Sequence, residues 1–156
     1  MANWTASASR IQAKLCPFMA GQVKDGPVYA AHGDAAQSLV DARDITAAAA
    51  AVLQNPVVHT GTVYTLTGDK SLTTWQFVHE ISRAIVKPGN YQSVSFEQAA
   101  LAMSGMGFPR WLVELMDALN RIVAAGYAAG VSPDTAQRLG RAPITVKAFA
   151  YDHWFA

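Results

Sequence analysis

Apolar residues return every three or four positions over long stretches of the chain, and short extended runs punctuated by glycine, proline and aspartate lie between them. That rhythm predicts helices separated by brief strands. Trp4, Ala8, Ile11 and Leu15 fall at helical spacing, so residues 1–19 read as a helix limited by Pro17, with a loop over 21–27. Residues 28–31 and 38–41 are strand candidates joined by a turn at Gly33-Asp34. Asp44 suits the N-cap of the next helix, whose inner face would carry Ile45, Ala48, Ala49, Val52 and Leu53 until Asn55-Pro56 stops it.

Residues 62–67 alternate apolar side chains with threonines and read as a strand, turned by Gly68-Asp69. Thr73 and Gln76 have capping-box spacing, with Leu72 and Phe77 placed as a hydrophobic staple. Phe77, Val78, Ile81 and Ile85 continue as a buried stripe that ends before Pro88-Gly89. A short strand over 91–94 precedes a second capping box, Ser95 with Gln98, and a helix closing near Gly105. Pro109 suits the first position of the longest helix, striped by Leu112, Leu115, Met116, Leu119, Ile122 and Val123. Ser132-Pro133 opens a short helix that Gly140 ends, and residues 145–155 form the last one, with Val146, Phe149 and His153 on one side. The fold class is α/β, with about four short strands and about six helices, and the strands are too scattered to make a good sheet among themselves.

Composition narrows the picture. One domain over residues 1–156 is the natural reading. Hydrophobic residues are 51% and charged residues only 15%, against about a quarter in ordinary soluble domains, which points to apolar surface meant to be covered. The net charge is +1 and no Lys/Arg stripe forms, so nucleic acid is not an expected partner. Cys16 stands alone, which excludes an internal disulfide and suits a reducing cytoplasm. The longest apolar run, 47–53, is far too short to span a membrane, and residues near the start do not read as a signal peptide.

Candidate chemistry is sparse. A dinucleotide turn needs glycines after a strand so that the backbone can approach the pyrophosphate, and no G-x-G-x-x-G occurs. Gly105-Met106-Gly107 is followed by Phe108-Pro109 and reads as a helix-entry turn. His32, His59, His79 and His153 are too scattered for a metal site, and Cys16 has no histidine near it in sequence to activate it. His32 follows a strand and precedes Gly33, which places it either at a pocket rim or in solvent. Asp41 and Asp44 could act as an acid/base pair, but they read better as anchors of a strand-to-helix turn together with Arg43. Asn3-Trp4 and the group Met103, Met106, Phe108 and Trp111 could line a cleft for a flat apolar molecule, or be core.

Three landmarks occur in fixed order: Val40-Asp41-Ala42-Arg43-Asp44-Ile45, Tyr64-Thr65-Leu66-Thr67-Gly68 and Leu139-Gly140-Arg141-Ala142-Pro143. With Met1-Ala2-Asn3-Trp4 and Gly107-Phe108-Pro109-Arg110-Trp111, they make the chain resemble the NmrA-like, atypical short-chain dehydrogenase/reductases. Thr46 and Asp69 depart from the alanine and proline usual there. The resemblance implies the C-terminal part of a Rossmann-type NAD(P)-binding fold with its small, mostly helical substrate domain, and with residues 62–67 as a last strand of the parental sheet. The N-terminal glycine-rich half, which would hold NAD(P)(H), is absent from these residues. It further implies reduction of a quinone- or dye-like acceptor by hydride, with a pocket built from Asn3, Trp4, His32, Phe108 and Trp111. No catalytic, cofactor-binding or metal-binding residue is expected within the chain, and alone it should be inactive. Self-association through an uncovered sheet edge is expected. The alternatives are a non-catalytic redox-sensing regulator of the NmrA type and a free-standing interaction module.

Overall fold

The computed structural model describes Val23 and residues 26–154, apart from the side chain of Trp154. The predicted first helix, with Asn3 and Trp4, lies outside the described residues. The elements are β1 (Val28–Ala30), β2 (Ala36–Gln37), α1 (Ala42–Gln54), a 3-10 turn (Pro56–His59), β3 (Leu72–Thr73), α2 (Thr74–Ile85), β4 (Tyr91–Ser93), α3 (Phe96–Gly105), α4 (Arg110–Ala124), α5 (Asp134–Leu139) and α6 (Val146–Trp154). β1 runs parallel to β4 with Val28 opposite Tyr91, and β2 runs antiparallel to β3 with Gln37 opposite Leu72. Among the described residues each sheet has two strands.

The core lies around α2. Its stripe of Phe77, Val78, Ile81 and Ala84 packs with Val28, Leu39, Phe149 and Ala150, so α2 is held between β1 and α6. Phe77 and Ile81 are buried outright, worth about 1.5–3 kcal/mol each. The capping box at Thr73 and Gln76 closes as expected, and Leu72 and Phe77 are both buried at the staple positions. The second box, Ser95 with Gln98, opens α3 at Phe96. A turn runs from buried His32 to Ala35, with Ala35 N–H donating to the His32 carbonyl at 3.1 Å and Gly33 at φ 56°.

Several expectations shift. The second strand is Ala36–Gln37, not 38–41, because Ser38 N–H donates to the Ala128 carbonyl at 2.9 Å instead of to a neighbouring strand. The N-cap of α1 is Asp41, whose Oδ1 accepts the Arg43 N–H at 2.8 Å. Asp44 lies inside the first turn, fully buried, with its oxygens engaged elsewhere. Residues 62–67 form no ladder among the described residues. The Thr135 hydroxyl takes the place of a neighbouring strand, accepting Thr67 N–H at 2.9 Å and donating to Thr67 C=O at 2.8 Å, while Asp134 accepts Thr65 N–H at 2.7 Å. Pro109 is the N-cap of α4 rather than its first residue. Finally, the apolar stripe of α4 is not buried: no residue of α3 or α4 is, and Leu115 and Ile122 are exposed.

Candidate functional site

The one buried histidine among the described residues sits where three elements meet. His32 follows β1, and its Nε2 lies 2.7 Å from Thr74 Oγ1 at the start of α2. Its Nδ1 lies 3.2 Å from Asn120 Oδ1 on α4, and Gln37 Nε2 approaches Nε2 at 3.5 Å. A neutral ring protonated on Nδ1 fits these contacts, donating to Asn120 and accepting at Nε2 from the Thr74 hydroxyl, with Gln37 at the margin of hydrogen-bond distance. Burial pushes the His32 pKa below its ordinary value, and the Asn120 bond only partly opposes this. A neutral, fully engaged imidazole is a joint, not a proton donor: it ties the end of β1 to α2 and α4. Of the two placements open from sequence, neither solvent nor an open rim is found.

Phe108 and Trp111 lie at the other end of α4. Gly107, at φ 82°, turns the chain between α3 and α4, and Pro109 starts α4. Trp111 is 64% exposed and Met106 68% exposed, while Phe108 is less so at 38%. Leu101 and Leu115, on the two helices that flank the turn, are exposed as well. Trp111 and Asn120 are separated by two and a half turns of α4, about 13.5 Å along the axis and on opposite sides. His32 is therefore not brought together with Trp111 in one cavity. Asn120, Thr74 and Gln37 were not singled out in the sequence. The one signal was Asn120, a polar residue one turn from Met116 on the border of the apolar stripe.

The aspartates do structural work. Both Asp44 oxygens are engaged: Oδ1 accepts from Arg141 Nη2 at 2.7 Å, and Oδ2 from Ile144 N–H at 2.6 Å. The first and third sequence landmarks are thereby locked together. Asp41 accepts from Arg43 Nε at 3.0 Å and Nη2 at 2.7 Å, and Arg43 Nη1 reaches Asp152 on α6 at 2.6 Å. Burial acts to raise the Asp41 pKa, but the Arg43 hydrogen bonds outweigh it and hold the carboxyl below its usual value. Asp41 is therefore held as a carboxylate and not poised as an acid.

Among the described residues no glycine-bearing strand-to-helix turn of the dinucleotide-binding kind is found. Three described strands lead into helices, β2 into α1 through residues 38–41, β3 into α2 with no intervening residue and β4 into α3 through Val94 and Ser95; none of these junctions carries a glycine, and at β3–α2 and β4–α3 capping boxes already engage amides of the first turn. Gly105 and Gly107 close a helix hairpin instead. Among the described residues no group of His, Cys, Asp and Glu could hold a metal, and no helix is long and apolar enough to cross a membrane.

No family model matches the chain. The NAD(P)H azoreductase of Xenophilus azovorans is 34% identical over 128 residues, which is 82% of this chain and 44% of that protein. Quinone oxidoreductase 2 of Escherichia coli strain K12 is 28% identical over 133 residues, 85% of this chain and 46% of its own length. The crystal structure of the Escherichia coli NADPH-dependent quinone oxidoreductase complexed with NADPH matches with a TM-score of 0.79 and 25% identity, over 97% of this chain and 52% of that one. The Citrobacter sp. triphenylmethane reductase complexed with NADP(H) matches in fold with a TM-score of 0.76, over 88% and 47%. The chain thus has the α/β fold of part of these Rossmann-type proteins and spans about half the length of the relatives it matches.

Proposed function

Since this chain belongs to the NmrA-like family that includes NAD(P)H-dependent quinone and azo-dye reductases, over about half the length of its relatives, we propose that it is the C-terminal, acceptor-side portion of such a reductase. Its substrate class is a conjugated, quinone- or dye-like small molecule. In this reading the 156 residues supply the acceptor surface, and by themselves neither bind NAD(P)H nor reduce anything. One observation carries the reading: the α3–α4 hairpin exposes Met106, Phe108 and Trp111 together, while no described turn fits the cofactor. A flat aromatic acceptor would stack on Phe108 and Trp111. His32 acts at a distance from the acceptor, holding Asn120 and hence the angle of α4. Residues 62–67 are the last strand of the parental sheet, and the free edges of the two-stranded sheets pair with further strands or with a second copy.

Two titrations test this. Menadione added to the purified chain should quench tryptophan fluorescence saturably, and Trp111→Phe should remove most of the saturable part; unchanged quenching in Trp111→Phe refutes the acceptor surface. NADPH titrated into the same chain should give no saturable fluorescence change. Saturable binding in the micromolar range would show that the chain holds its own cofactor.

A further inference from the structure

On the side of α2 turned away from His32, the geometry points to a binding site for a small dianionic oxyanion, inorganic phosphate or the phosphate of a phosphomonoester. A cavity of about 370 Å³ opens there between α2, the turn before β3 and the start of α6, lined by Lys70, Glu80, Arg83, Ala84, Thr145 and Lys147. That volume is at the small end of ligand sites, roughly 300–1,000 Å³. Thr74, which faces His32, and Arg83 are two and a half turns apart on α2, so the cavity is separate from the His32 joint and from the proposed acceptor surface.

The charges in it do not cancel. Lys70 and Glu80 form an ion pair that neutralises the one carboxylate of the lining. Arg83 and Lys147 have no ion-pair partner among the described residues, so the lining carries two uncompensated positive charges. Arg83 and Lys147 reach the cavity from different elements, α2 and α6, which α2–α6 packing through Ile81, Ala84 and Phe149 holds in fixed relation. Thr145 Oγ1 accepts Ala148 N–H at 3.1 Å, which leaves its own O–H available as a donor. The open amides of the first turn of α6 add favourable dipole but would not make a site without the side chains. A guanidinium fork, an ammonium and a hydroxyl around one space suit a tetrahedral dianion better than a carboxylate, which offers fewer oxygens and one charge.

The test is a titration of inorganic phosphate into the chain at ionic strength held constant with chloride, read by amide chemical shifts of residues 80–84 and 145–148. Saturable shifts are expected, with Arg83→Gln or Lys147→Gln weakening binding by about fivefold each, a loss of roughly 1 kcal/mol apiece. Both side chains are exposed, so the variants should fold, and the unchanged remainder of the amide spectrum verifies it. Glycerol phosphate in a second arm identifies the source: tighter binding assigns the site to a phosphomonoester, and equal or weaker binding assigns it to the free ion. Shifts no different from those with chloride alone, or full affinity in the Arg83→Gln/Lys147→Gln double variant, would overturn the proposal.

Discussion

Replacing Asp44 should be among the most damaging single changes to the body of the fold. The carboxylate is 0% exposed and holds two partners at once, Arg141 Nη2 at 2.7 Å and Ile144 N–H at 2.6 Å. Removing one member of a buried ion pair costs about 3–5 kcal/mol when the other is left without compensation. Here the Arg141 side chain is 49% exposed and regains water when released, which lowers that figure. Ile144 is partly buried, and leaving its N–H without an acceptor costs up to about 1–3 kcal/mol. Asp44→Ala should therefore lose about 3 kcal/mol. Asp44→Asn, which keeps an acceptor for Ile144, should lose about half of that. Arg141→Gln should cost about 1–2 kcal/mol, and its cycle with Asp44→Asn should show a coupling of about 1 kcal/mol. Urea unfolding followed by circular dichroism reads all four free energies, provided that the slope with denaturant is unchanged. A loss below about 1 kcal/mol for Asp44→Ala would refute the claim that this carboxylate joins the two landmarks.

Three further outcomes are expected. In Gly68→Ala the added Cβ would lie 2.1 Å from the Leu39 carbonyl oxygen, a backbone atom that cannot rotate away, so a loss of about 3 kcal/mol or failure to fold should appear in the same unfolding assay. Val86→Gly should raise stability by about 1 kcal/mol, since a β-branched residue sits at φ 53° with its side chain 88% exposed and nothing to lose; a lower melting midpoint would contradict this. The folded pKa of His32 lies below its ordinary 6.5, so the unfolded chain binds that proton more tightly. The stability due to neutral His32 is therefore complete above about 6.5 and is lost as pH falls through the lower folded value. Melting temperature measured against pH should decline in that window for the native chain and remain flatter in His32→Gln. Asp41, held below 3.8, contributes only at more acidic pH.

What the sequence revealed was mostly local. Both capping boxes need residues three apart to do one job, and both formed where expected. The stripe Phe77, Val78, Ile81 is buried because helical period alone decides which side of α2 faces inward. Strands were harder, because a strand is defined by its neighbour. Residues 62–67 have the right alternation, yet Thr67 bonds to a threonine side chain 68 positions on, which no local pattern signals. Asp44 was read as a cap because Asp41 and Asp44 are equally good capping types, and only Arg141, 97 positions away, decides between them. For the site, exposure of Phe108 and Trp111 followed from no pattern: an apolar stripe looks the same whether or not anything covers it. His32 was singled out by its place after a strand, but its burial depends on Asn120, 88 residues distant.

The manner in which the α3–α4 hairpin is attached has a consequence for its motion. Its two helices are clasped together by the Arg121 guanidinium 4.3 Å over the Phe96 ring, and its ties to the body include the His32–Asn120 bond and the bonds from Ser38 to the carbonyls of Ala128 and Gly130. Neither helix contributes a buried side chain to the core. Hydrogen bonds of this kind contribute about 1 kcal/mol each, whereas α2 is anchored by several fully buried apolar groups. The hairpin is thus a cooperative unit of its own, with an opening free energy well below that of the whole domain, and its amide protons should exchange with solvent long before those of α2. Any molecule resting on its exposed turn would then meet a surface that yields by tilting as one piece.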